Sequence, residues 1–279
     1  MLAVGGWLWN LHARAWDLGG RSPVLGYDAA QYAVAARELS EHGRLATLFA
    51  LPVELSQHPR PPWPLATVQP GLVLAEAAVD RVVPRSLPWG SRRISLARPS
   101  EREWLSLAWP MASFFGLAFL LAAVTARLLG AGTSRRRDGV AWGAGFLIAL
   151  AFMLDPEAQH FAAGGFTELP FTLGLVLALA FVANGAAARR PLLFGLLLGV
   201  TGAFRANMLW LAPAFAIGVA ALVPRQQRVR TGLTVMLGFA IPLAPWWLYK
   251  WQRFGTPSAD LSRWMLWEGV EGRTWFTMM

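Results

Sequence analysis

WLSLAWPMASFFGLAFLLAAVTARL, residues 104–128, carries one charged side chain, Arg127. The run is longer than the roughly 20 residues that a bilayer-spanning helix needs. Further apolar runs follow at about 139–154, 168–184, 191–204, 207–223 and 231–249. Leu2–Trp9 is about half a span in length, so residues 1–10 read as a truncated first membrane helix. That makes seven candidate spans, several of them short enough to require tilt, bilayer thinning or internal packing.

Composition points the same way. Of 279 residues, 55% are hydrophobic, and the mean hydropathy is +0.41. A soluble domain of this size carries more polar surface. Trp7, Trp9, Trp104, Trp109, Trp246, Trp247 and Trp251 stand near the ends of apolar runs, where an indole with a wet N–H suits the bilayer–water interface. The absence of cysteine excludes disulfides, thiolate metal sites and thiol catalysis.

The net charge is +9, and Lys250 is the one lysine beside the arginines. The basic residues cluster between apolar runs, which argues for membrane topology and against a nucleic-acid partner. Arg135, Arg136 and Arg137, then Arg189 and Arg190, then Arg225, Arg228 and Arg230 occupy alternate connections. By the positive-inside rule these connections are cytoplasmic. The stretches 11–103 and 155–167, the Phe204–Asn207 turn and the tail from 250 to 279 then share the outer face. The fold expected is an all-α multi-pass membrane protein: a long outer loop over 11–103, about six membrane helices over 104–249, and an incomplete outer tail. No repeat of 20–50 residues interrupts this pattern.

Within the long loop, residues 28–42 read as an amphipathic helix. Asp28 suits its N-cap, with Gln31 completing a capping box. Tyr32, Ala35, Ala36 and Leu39 share one face, and Arg37, Glu38 and Glu41 lie off it. Gly43 suits the stop. The prolines of HPRPPWPLATVQPG, residues 58–71, favour an extended segment. Residues 71–83 read as a second surface helix, and 84–103 as an exposed insertion.

Four features on the inferred outer face suit chemistry: Tyr27-Asp28; His58 with Arg60 among prolines; Asp155 to Glu168 with His160; and Arg205 with Asn207. A carboxylate can deprotonate a hydroxyl or hold a divalent cation. Arginine grips phosphate in a fork. His12, His42, His58 and His160 all map to this face, but their spacing matches no local zinc-ligand motif.

YDAAQYAVAARELSEHG resembles the first outer-loop motif of the GT-C glycosyltransferase superfamily: an acidic residue, a tyrosine, a small-residue helix, then Leu and Gly. HPRPPWPL and VQPGLVLAEAA resemble the proline element that follows. GGFTELPFTLGLVLALAF looks like the second acidic position opening a membrane helix, and PWWLYKWQRFGTP resembles a later helix end. The resemblance implies a GT-C-like helix bundle in the cytoplasmic (inner) membrane. It also implies sugar transfer from a polyprenyl-phosphate-linked donor to a glycan, lipid or protein acceptor on the periplasmic or extracellular face. It implies Asp28 as catalytic base or metal-side carboxylate and Glu168 as the second acid. Tyr27, Tyr32, His58, Arg60, His160 and Arg205 would bind substrate, with Arg205 or Arg60 meeting the donor phosphate. Ala29 stands where the family often has another acid, and the stretch Trp104–Pro110 lacks an arginine common there; a divalent cation is thus left open. Two other readings stand beside it: a transporter or flippase for a lipid-linked or anionic solute, and a non-catalytic subunit of the same architecture.

Overall fold

A computed structural model of the chain describes residues 27–48, 60–66, 68–84, 86–89, 92–95, 103–130 and 135–255. The expected first span at Leu2–Trp9, His58, and the tail beyond Gly255 lie outside the described residues. The chain divides into two units, Met1–Ala30 with Val82–Val176 and Gln31–Arg81 with Leu177–Met279.

In the first unit, the run at 104–128 becomes a 3-10 turn, Glu103–Leu107, leading into helix α3, Ala108–Gly130, which follows α1, Tyr27–His42, and α2, Pro70–Val82, in the chain. Helix α4, Arg135–Leu154, packs beside α3. The stretch 155–167, expected as a plain connection, instead holds a short helix, α5, Pro156–Ala163. Helix α6, Glu168–Ala183, follows and continues into the second unit. The core is Phe114, Leu117, Ala158, Ala162 and Leu169, with Phe114 and Phe152 rings 5.2 Å apart. Ser86–Trp89 and Arg92–Ser95, β3 and β4, form an antiparallel hairpin inside the expected insertion.

The break between α4 and α5 follows from one proline. Pro156 has no N–H to give the carbonyl of Phe152. The Asp155 N–H takes that carbonyl instead, at 3.2 Å. The Asp155 carboxylate then caps α5 by accepting from the Glu157 N–H at 3.1 Å. The Met153 carbonyl, freed by that exchange, accepts from the Gln159 side-chain amide at 2.8 Å. With these groups satisfied the chain turns by 62°.

The second unit is built on helices α8, Pro191–Phe204, α9, Met208–Ala221, and α10, Arg228–Phe254, with a single-turn helix α7, Ala186–Arg189, before them. Helices α8 and α10 meet through glycines. A Cβ on Gly238 would sit 2.5 Å from the Leu192 carbonyl oxygen and 3.0 Å from the Gly195 Cα. Gly195 and Gly199 are spaced as in the small-residue motif that lets apolar helices approach backbone to backbone. Pro242 and Pro245 lie inside α10. The expected end of this run at 249 falls short: α10 continues to Phe254 and stops at Gly255, whose φ is +71° and whose N–H bonds the Trp251 carbonyl at 2.9 Å.

Over the far end of α10 lies the segment 31–81. It carries most of α1, Tyr27–His42, and α2, Pro70–Val82. Tyr32, Ala35 and Ala36 of α1, Leu72, Val73 and Ala77 of α2, Leu65, Val68 and Trp246 form one core. The two helices are tied at their ends by the Ser40 hydroxyl donating to Asp80 at 2.6 Å and by Arg81 donating to the Leu39 carbonyl at 3.0 Å. Two short strands, Ala46–Thr47 and Trp63–Pro64 (β1 and β2), pair antiparallel between them. Glu38 does not lie off the buried face as expected. It is buried and paired with Arg44 at 2.7 Å, which compensates the charge.

The described chain is thus predominantly helical. Two helical stretches, Leu105–Gly130 and Arg225–Phe254, are long and apolar enough to cross a membrane, and the bent α4–α5 pair makes a third if counted as one span. Helices α6, α8 and α9 are apolar but shorter.

Candidate functional site

Asp28 lies in the first turn of α1, exposed. The helix begins at Tyr27, so Asp28 is not the N-cap expected of it. Tyr27 opens the helix, with its side chain outside the described residues. Tyr32, one turn beyond Asp28, is expected to face substrate; its ring is instead buried in the core with Trp246.

In the first unit, His160 and Glu168 flank one turn. The His160 carbonyl accepts the Gly164 N–H at 2.8 Å, and Gly165 takes φ +76°. The exposed His160 ring stands 5.4 Å from Phe166 and 5.9 Å from Phe161. Glu168 is in the first turn of α6, half-buried, with Oε2 shielded from solvent. The preceding Thr167 carbonyl accepts from Phe171 at 3.0 Å and starts the helix. Asp155, expected to end a helix, does so and also caps the next one.

In the second unit, Arg60 is exposed ahead of the cis Pro61–Pro62 bond. Arg205 closes α8 in extended backbone, φ −147° and ψ 134°, and is half-buried. Its carbonyl accepts the Met208 N–H at 3.3 Å, so the residue bridges α8 and α9. The N-terminus of α2 arrives at the same place. A Cβ on Gly71 would lie 2.6 Å from the backbone carbon and oxygen of Ala203 and 2.9 Å from the Phe204 nitrogen. Only glycine permits this approach, and it sets the first turn of α2 two residues from Arg205. No acid occupies that first turn. Phe204 packs on the core that holds Leu72, Val73 and Trp246, and the Trp246 indole Nε1 is buried with no hydrogen-bond partner among the described residues. Buried donors are rarely left so. The first turn of α2 and the backbone next to Arg205 therefore meet at one place. A helix N-terminus and an arginine side chain both favour an anion.

Two buried charged residues went unmarked by the sequence reading. Glu76 shares the buried face of α2 with Leu72, Val73 and Ala77. Lys250 is buried with its ammonium 5.1 Å from the centre of the Trp246 ring, and that ring stacks on Tyr249 at 5.4 Å. A signal existed for each: Glu76 is a lone acid in the apolar run PGLVLAEAAV, and Lys250 is the one lysine in a chain that otherwise uses arginine. No cluster of three metal-ligating side chains forms among the described residues.

Compared with protein-family models, curated proteins and solved structures, the chain matches none.

Proposed function

We propose that this chain is a multi-pass membrane glycosyltransferase of GT-C type that takes a sugar from a polyprenyl-phosphate-linked donor. The observation that carries the reading is the seating of Gly71 on Ala203, which brings the positive end of α2 beside Arg205 with no acid in that turn. Such a place suits the phosphate of the donor, before transfer and as the leaving group. The acceptor oxygen bonds to the anomeric carbon, the bond from that carbon to phosphate oxygen breaks, and polyprenyl phosphate departs. Asp28 takes the acceptor proton, the role the sequence resemblance implies, with Glu168 as the second acid.

The test is donor-lipid binding by the protein in nanodiscs, titrated with polyprenyl phosphate. Wild type is expected to bind, and Arg205→Ala to bind at least tenfold more weakly. Asp28→Asn is expected to bind normally and to lose transfer. Wild type without affinity, or an Arg205→Ala variant that binds unchanged, overturns the phosphate site. Undiminished transfer by Asp28→Asn removes Asp28 as base.

The 62° break between α4 and α5 and the short apolar helices α6, α8 and α9 favour a second reading, a transporter or flippase for a lipid-linked or anionic solute. Flux of a labelled lipid-linked sugar across proteoliposomes, without sugar transfer, would select it.

A further inference from the structure

Helices α9 and α10 leave between them an open groove of about 520 Å³, lined by Ala216, Ile217 and Ala220 on one side and Val229, Leu233 and Met236 on the other. The volume falls within the ~300–1,000 Å³ range of small-molecule sites. One charged residue lines it, Arg228, which opens α10. Arg225 and Arg230 stand beside it, and all three are exposed. Among the described residues none of the three is in an ion pair. The sequence holds no Asp or Glu between Glu168 and Asp260, so no acid near in sequence offsets them. The N-terminus of α10 adds its own positive end at the same point.

A strip of apolar surface leading away from a cationic mouth has the polarity of an anionic amphiphile. The neighbouring helix stretch, Arg225–Phe254, is one of the two long and apolar enough to cross a membrane. Its arginine-rich end is cytoplasmic by the positive-inside rule, on the leaflet where anionic lipids attract basic residues. We propose that this groove seats an acyl chain of an anionic phospholipid, with the headgroup phosphate at Arg228 and Arg225 and Arg230 beside it. The proposal rests on the membrane reading of α10 and is independent of sugar transfer.

The test uses the full chain, delipidated in detergent, and native mass spectrometry with phosphatidylglycerol and phosphatidylcholine of the same acyl chains. Wild type is expected to hold phosphatidylglycerol at least tenfold more tightly. Replacing Arg225, Arg228 and Arg230 with alanine should weaken that lipid by about fivefold per arginine and leave phosphatidylcholine unchanged. Gly232 also lines the groove, and a Cβ there comes no nearer than 3.8 Å to another atom, so Gly232→Leu fills the space without a backbone clash. It should weaken both lipids. Equal binding of the two lipids by wild type overturns the proposal, as does a Gly232→Leu variant that binds both normally. Displacement of phosphatidylglycerol by millimolar inorganic phosphate would reduce the site to its arginines and also overturn it. Alkaline carbonate extraction of membranes separates the two ways of failing. A chain released by carbonate loses the membrane reading, whereas an embedded chain without lipid preference loses the groove alone.

Discussion

The hydroxyl of Tyr249 donates a 2.6 Å hydrogen bond to the backbone carbonyl of Leu45, 204 residues earlier in the chain. One end of that bond is near the end of α10; the other is in the link that follows α1. Tyr249 also stacks on Trp246, which enters the core shared by α1 and α2. Tyr249→Phe keeps the ring and removes this donor, while the Leu45 carbonyl keeps the Leu65 N–H at 3.3 Å. A loss of about 0.5–1.5 kcal/mol is expected. Thermal unfolding in detergent should show it, and an unchanged transition would mean the bond contributes nothing.

Gly71 is the point where α2 touches α8. Any side chain there meets backbone atoms of Ala203, which have no rotamer to change. Gly71→Val should therefore lift the first turn of α2 from Arg205, at a cost of about 1–3 kcal/mol. Polyprenyl-phosphate affinity should fall with it. Ala78→Val, on the exposed face of the same helix, should leave affinity intact. A Gly71→Val protein that binds donor normally would separate the helix contact from the site.

The α8–α10 contact offers a sharper test of fold. Gly195→Leu drives a branched side chain into the backbone of α10 at Val235 and Gly238. The variant is expected to fall to low yield or to melt well below wild type. Val200→Leu, on the exposed side of α8, should be neutral within about 0.5 kcal/mol. Equal stability of the two variants would show that the glycine contact does not hold the helices together.

Asp155 has a local role that can be isolated. Asp155→Ala removes the cap of α5 and should cost about 1 kcal/mol, while Asp155→Asn should recover most of it because the amide oxygen still accepts from Glu157. Amide hydrogen exchange across Glu157–Ala162 should quicken in the alanine variant and not in the asparagine one.

Several elements were legible because local chemistry fixes them. The apolar runs mark the long helices, the small-residue face of Tyr32, Ala35 and Ala36 marks α1, and Gly43, at φ +68°, ends it as expected. Helix α5 was hidden because eight residues give too little periodicity, and Asp155-Pro156 reads equally as a stop or a start. Glu38 was misplaced because its neighbour in space, Arg44, comes from beyond the helix, and periodicity carries no term for a partner outside the window. Tyr32, expected at the substrate, is buried in the core for a similar reason: Trp246, a member of the same core, lies over 200 residues away. The anion-favouring region near Arg205 could be suspected from the arginine alone. That α2 would deliver its N-terminus there depends on a glycine contact that only the fold reveals.

Pro242 and Pro245 give α10 two carbonyls, those of Gly238 and Ile241, that no helical N–H can reach. Trp246, Tyr249 and Phe254, which hold the segment 31–81 to this helix, lie beyond those prolines, while the glycine contacts with α8 run from Val235 up to Pro242. One continuous helix thus bears two loads: its near half is a post bolted to α8, and its far half is a handle on which α1 and α2 ride as cargo.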